Sequence, residues 1–252
     1  MNSLATDPIT QNGVFHSTRW TLVLAAGGAE GSPSQSLEAL SELCRIYWRP
    51  LYLFLRREGI SSADAQDLTQ GFFAKLIRDR TCFRADRAKG RFRSFLLGAL
   101  KHFVADARRR DRAQKRGGGK FFESLEESEL REVEAQVAAA ERWNPDALYE
   151  REWAAALLRQ TLDRLAQECA IAGKTPLFEG LRAYLPATGD KAVPYEEISR
   201  QLHRGAGTLR SDVSRLRMRY RAILREEVRG TVAEASEVDD ELRYLCQVIA
   251  QT

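Results

Sequence analysis

Apolar positions recur along the chain at steps of three and four residues, and the succession of such stripes predicts helices almost throughout. Leu37, Leu40, Cys44, Tyr47, Leu51 and Phe54 form one stripe, and Ala65, Leu68, Phe72 and Leu76 a second. Phe92, Phe95, Ala99 and Phe103 form a third, which predicts a helix with its phenylalanines inward and with Arg93, Lys101, His102 and the Arg108 to Arg110 cluster outward. Further on, Trp153, Leu157, Leu158, Leu162 and Leu165 mark an amphipathic helix, and Tyr195, Ile198 and Leu202 a short one. Leu209, Val213, Leu216, Tyr220 and Ile223 define the next, and Leu242, Leu245 and Val248 carry the pattern into a C-terminal extension. No stretch alternates with period two between hairpin turns, and no fixed-period repeat occurs. The expected fold class is therefore all-α, two small helical domains.

Charge separates these segments into different kinds of surface. The net charge is only +4, but Arg84 to Lys120 holds thirteen Lys/Arg against three Asp/Glu, whereas Phe121 to Glu152 holds ten acids against three bases. Gly117, Gly118 and Gly119 lie at the changeover, which predicts a flexible linker between two modules. With 252 residues, 44% of them hydrophobic, the chain can bury one or two ordinary cores, and no run is apolar enough to span a membrane. The first twenty residues lack a basic start followed by an apolar run, so the cytoplasm is the expected compartment. Cys44, Cys82, Cys169 and Cys246 form no CxxC pair, and free, mostly buried thiols with no bound metal are expected.

The sharpest local signal is "VPYEEISRQLHRGAGTLRSDVSRLRMRYRAILREEV". A short helix opening after Pro194 stops at "HRGAG", and the following helix keeps its apolar residues on one face while Thr208, Arg210, Ser211, Ser214, Arg215 and Arg217 occupy the other. Seven arginines between Arg204 and Arg225 stand against the single acid Asp212. This is the pattern of a helix-turn-helix whose second helix meets base edges and phosphates near its N-terminus. In the basic tract, cations are interleaved with Phe83, Phe92 and Phe95, which suits bases drawn out of a strand, and the loop Phe83 to Arg91 is the candidate for base contact.

Taken in order, "DAQDLTQGFFAKLI", "RFRSFLLGALKHFVADARRR" and "YEEISRQLHRGAGTLRSDVSRLRMRYR" resemble an extracytoplasmic-function (ECF) type sigma factor of the sigma-70 family. The likeness, supported by "TRW", "LCRIYWRPLYLFLRR" and "VDDELRYL", covers nearly the whole chain. It implies an N-terminal segment 1–33, a region 2 helical bundle at 34–116, a linker at 117–145, a region 4 helix-turn-helix at 146–229 and a helical extension at 230–252. It also implies a non-enzymatic initiation factor whose partners are bacterial core RNA polymerase (β′ clamp and β flap) and promoter DNA, with no cofactor. By the same resemblance Asp64, Asp67, Thr69 and Gln70 dock on the polymerase. Arg84, Arg87, Lys89, Arg91, Arg93, Lys101, His102, Arg108 and Arg109 bind the −10 element, and Thr208, Arg210, Ser211, Ser214, Arg215 and Arg217 the −35 element. An anti-sigma factor, or a Ser/Thr kinase acting at Thr69, stays open as a regulator.

Several positions depart from the family pattern. Gln66 stands where glutamate is frequent, Arg204 replaces an apolar turn residue, and Asp212 brings negative charge into the recognition helix. Asp64, three residues after Ser61, also fits a capping box that serves only the helix end. Three other functions fit the sequence less well. A metal-dependent nuclease would need a third carboxylate or histidine converging on Asp64 and Asp67, and His16, His102 and His203 lack the spacing. The phosphate-loop fragment "AGKTPL" lacks its upstream glycine and strand. A stand-alone helix-turn-helix regulator would leave the acidic helix and the basic loop without a task.

Overall fold

A computed structural model describes residues 46–78, 91–111, 131, 133–135, 137, 143–186, 193–232 and 234–250, and among them there are helices and turns but no strand. Residues 46–57 form α1, which ends where Gly59 adopts a φ of 79° and lets the amide of Ile60 reach back to Leu55 O at 3.2 Å. That left-handed turn is cheap for glycine and starts the chain back along its own helix. α2 (Ser62–Arg78) and α3 (Phe92–Asp111) complete the first bundle. Its core joins Tyr47, Leu51 and Leu55 to Phe72, Phe73, Leu76, Phe92, Leu96 and Leu100.

The inward face of α3 is rotated from the stripe expected of the sequence. Phe92, Leu96, Leu97, Leu100 and Val104 are buried, whereas Phe95, Ala99 and Phe103 are only partly covered. Arg93 shares the inward stripe with Leu97, Leu100 and Val104 at steps of four, three and four, so it points in rather than out. Helical residues between 131 and 137 return to α1, where Val133 is buried and Glu134 accepts hydrogen bonds from Arg56 Nε at 2.8 Å and Nη2 at 2.7 Å, and one from Tyr52.

α4 (Pro145–Ile171) is the longest element, 27 residues or about 40 Å at 1.5 Å per residue. Asn144 caps it, accepting from the Ala147 amide at 2.7 Å, and Pro145 occupies the first turn, where a missing N–H costs nothing. Near its start, Tyr149 donates to Arg93 O at 2.9 Å. Farther along, Arg164 and Glu168 pair with Glu226, Glu227 and Arg219 of α7 (Ala206–Arg229). α5 (Thr175–Leu181), a 3₁₀ turn at Arg182–Tyr184 and α6 (Tyr195–Leu202) fill one end of this second assembly. α5 and α6 approach closely, for a Cβ at Gly180 would stand 3.3 Å from Leu202 Cδ1. A 3₁₀ turn at Ala235–Glu237 leads to α8 (Val238–Ala250), which lies across α4 and α7 and pairs Asp239 with Arg225 at 2.5 Å. The described helices contain none that is long and apolar enough to cross a membrane.

Candidate nucleic-acid interface

The second assembly contains a helix-turn-helix, α6 followed by α7. α6 ends on His203, which holds a left-handed φ of 51°, and the Arg204 amide then reaches Ser199 O at 3.2 Å while Ser199 Oγ donates to Arg204 O at 2.5 Å. The turn is therefore closed from both directions by backbone and hydroxyl groups. α7 buries Leu209, Val213, Leu216, Tyr220 and Ile223 and leaves Thr208, Arg210, Ser211, Ser214, Arg215 and Arg217 exposed. Those six are the residues the sequence placed on its polar face.

Asp212 does not face solvent with them. Its carboxylate is buried, accepting from Arg215 Nη2 at 2.7 Å and Arg204 Nη1 at 3.1 Å. The residue that would repel phosphate instead orients two guanidiniums and neutralises part of their charge. Arg204, out of place for an apolar turn, is one of the two guanidiniums that this carboxylate holds. Arg215 stays 64% exposed beyond its tether, and Arg210 packs its guanidinium 5.8 Å from the Tyr195 ring centre. Arg217 is held by donating from Nε to Tyr184 O at 3.0 Å. The helix thus presents a row of partly immobilised cations with hydroxyls between them, able to take phosphates and to donate toward base edges.

On α2 the acidic pair divides. Ser61 Oγ donates to Asp64 Oδ2 at 2.7 Å and accepts from the Asp64 amide at 3.2 Å, so Asp64 serves the helix end through a cap. Asp67 is exposed and makes no ion pair among the described residues, with Gln70 half-buried beside it. Thr69 is fully buried and donates to Ala65 O at 2.7 Å. It belongs to the packed side of α2, because at positions 65, 69, 72, 73 and 76 the helix turns inward; the reading of Thr69 as a docking or phosphorylation residue is corrected accordingly.

The basic residues expected at the other DNA element fare unequally. Arg84, Arg87 and Lys89 lie outside the described residues. His102, Arg108 and Arg109 are exposed, Arg109 pairing with Asp106 at 2.7 Å. Lys101 is exposed but gripped by both oxygens of Asp146 at 2.8 Å and set 5.3 Å from the Phe54 ring. For Arg93 the expected outward placement is corrected, since only 3% of its side chain is accessible in this conformation. Its Nε donates to Glu150 at 2.7 Å, Nη1 pairs with Glu241, and its guanidinium lies between Trp153 at 4.4 Å and Tyr244 at 4.3 Å. Arg91 joins the same knot through Glu241 Oε2 at 2.9 Å. Glu241 and Tyr244 had no role assigned from sequence. Glu241 nonetheless stands on a stripe with Val238, Leu245 and Val248, and an acid at such a position signals a buried partner.

On another face of α3 from Arg93, α2 and α3 frame a largely apolar recess of about 460 Å³, whose lining includes Phe72, Phe95 and Phe103 with Lys75 and His102. Lys75 Nζ lies 5.8 Å from the Phe103 ring centre. Of the two described thiols, Cys169 is buried, and that burial raises its pKa, while Cys246 is exposed. No group of three or more His, Cys, Asp or Glu that could hold a metal ion occurs among the described residues.

Residues 43–114 match the family model of sigma-70 region 2, a stretch that spans α1, α2 and α3. Members of that family are non-enzymatic factors of transcription initiation. Comparison with curated proteins and with solved structures returns no match.

Proposed function

We propose that the chain is a sigma factor of the ECF type, which directs bacterial core RNA polymerase to particular promoters and helps to open them. The observation that carries this reading is the pairing, in one chain, of a region 2 segment at 43–114 with a helix-turn-helix whose second helix exposes Arg210 and Arg215. A duplex-binding regulator would use only the latter. In the proposed division of labour, Asp67 and Gln70 dock α2 on the β′ clamp, and α7 enters the major groove of the −35 element. His102, Arg108 and Arg109, with Arg84, Arg87 and Lys89, bind the −10 strand. The aromatic recess between α2 and α3 suits a base extruded from that strand, whose unstacking costs a few kcal/mol and needs a partner surface. The protein would act in the cytoplasm, where polymerase and promoters are.

The deciding experiment adds the purified chain to sigma-free core polymerase with a genomic promoter library and sequences the transcripts. Discrete start sites sharing two elements at one fixed spacing are expected, with permanganate-reactive thymines only when core enzyme is present. Inserting about five base pairs between the elements turns the upstream one to the opposite side of the duplex and should abolish transcription. Sequence-specific duplex binding without any polymerase-dependent opening would instead identify a stand-alone regulator.

A further inference from the structure

The five ion pairs that join the first bundle to the second assembly among the described residues have one polarity. Every cation comes from the first bundle and every carboxylate from the second: Lys101 with Asp146, Arg93 with Glu150, Arg49 with Glu152 at 3.4 Å, and Arg91 and Arg93 with Glu241. Glu241 is fully buried between the two arginines, and Tyr244 covers both guanidiniums, 5.2 Å from Arg91 and 4.3 Å from Arg93. A carboxylate held by two arginines under an aromatic face is the arrangement those arginines would make with a phosphate and a neighbouring base.

We propose that α8, with the start of α4, is an intramolecular stand-in for a nucleic-acid strand: it occupies Arg91, Arg93 and Lys101 in the free protein and must be displaced before they can contact DNA. This inference deepens the sigma-factor reading above and rests on it for the identity of the displaced ligand. Two further observations favour displacement over a purely structural tie. First, α8 is only partly embedded: Val238, Glu241 and Leu245 are buried, Leu242, Tyr244 and Val248 are half-buried against the core, and Asp239, Asp240 and Arg243 take part only in surface pairs. Second, the tie from α8 to Arg91 and Arg93 is ionic, and a buried ion pair is a poor source of net stability, because desolvating both charges offsets most of their attraction. An ionic latch is open to competition from another polyanion in a way that an apolar one is not.

The measure of the latch is the affinity of the free, full-length chain for a fluorescent 12-nucleotide single strand, read by anisotropy at constant salt. If the open form is a minor population, apparent affinity is reduced by that fraction. Glu241→Gln keeps the shape and removes the charge, and should tighten binding by about tenfold; adding Arg93→Ala should return it toward the parent value. Asp146→Asn, which frees the exposed Lys101, should give a smaller gain. Unchanged affinity in a Glu241→Gln protein with the parent circular dichroism overturns the proposal. Should that variant misfold, hydrogen exchange on the unsubstituted chain decides: α8 amides that lose protection in the complex with core polymerase and promoter support displacement, and amides equally protected there overturn it. Promoter-specific transcription by the unsubstituted chain reports separately on the sigma-factor reading. Tighter strand binding without transcription would retain the latch and remove that reading, and transcription without either change would do the reverse.

Discussion

Arg93 shows how a single side chain can change meaning between sequence and structure. Read from its neighbours in a basic tract it belongs on the surface, yet its place three and seven residues before Leu96 and Leu100 puts it on the inward stripe of α3. A guanidinium buried there is tolerable because Glu150 and Glu241 satisfy it and two rings cover its faces. Arg93→Ala would leave Glu241 with one partner, and should lower stability by roughly 3 kcal/mol, seen as a fall in the urea midpoint. Thr69 carries the opposite lesson. Thr69→Glu, often used to imitate phosphate, would bury an unpaired carboxylate against Phe72 and Phe73, and is expected to unfold the first bundle rather than regulate it; Thr69→Val should cost only about 1 kcal/mol, by loss of the bond to Ala65 O. On α7, Arg210→Ala should weaken binding at the upstream element by about 1–3 kcal/mol with relaxed base preference if it contacts a base. A uniform loss with a shallower salt slope, in titrations against sequence variants, would make it a phosphate contact.

Helices were readable one at a time because each repeats its apolar positions often enough to average out exceptions. The α6–α7 turn was readable as a turn, but not its closure: the left-handed residue is His203 rather than the nearby Gly205, which caps the start of α7 in an extended conformation. His203→Gly should therefore stabilise the second assembly by about 1 kcal/mol, visible as a higher Tm. The tie between α1 and residues 131–137 was not legible, since Arg56 and Glu134 are far apart in sequence and nothing local pairs them. It carries a pH signature. The Arg56 hydrogen bonds hold the Glu134 carboxyl below the usual glutamate range, and Arg219 does the same for Glu168 between α7 and α4. A carboxylate whose folded pKa is depressed contributes stability above its unfolded value and loses it as pH falls through the folded one. Urea midpoints should accordingly drop below about pH 4.3, and Glu134→Gln should flatten part of that drop. At the alkaline end, burial and then the Glu134 contact push Tyr52 up to about 12, so it is a neutral donor throughout this range.

At the scale of the molecule, the uneven distribution of charge was plain in the sequence, while its geometric outcome was not. The acidic block after Phe121 reads as a solvated linker; its described part instead sends Glu134 to Arg56, and Asp146, Glu150 and Glu152 to the cations of α3 and α1. Composition records how many charges there are, but pairing them requires knowing which helix α4 lies against. The same junction gives the protein a built-in optical gauge. Trp153 has no exposed surface, and lies under the Arg93 guanidinium where the two helical assemblies meet. Separating them would bring water and mobile dipoles to that indole. A protein keeping Trp153 as its sole tryptophan, with Trp20, Trp48 and Trp143 changed to phenylalanine, should emit in the blue when alone and shift to the red as promoter and polymerase engage, so that the seam's opening could be timed in a stopped-flow cell without any attached dye.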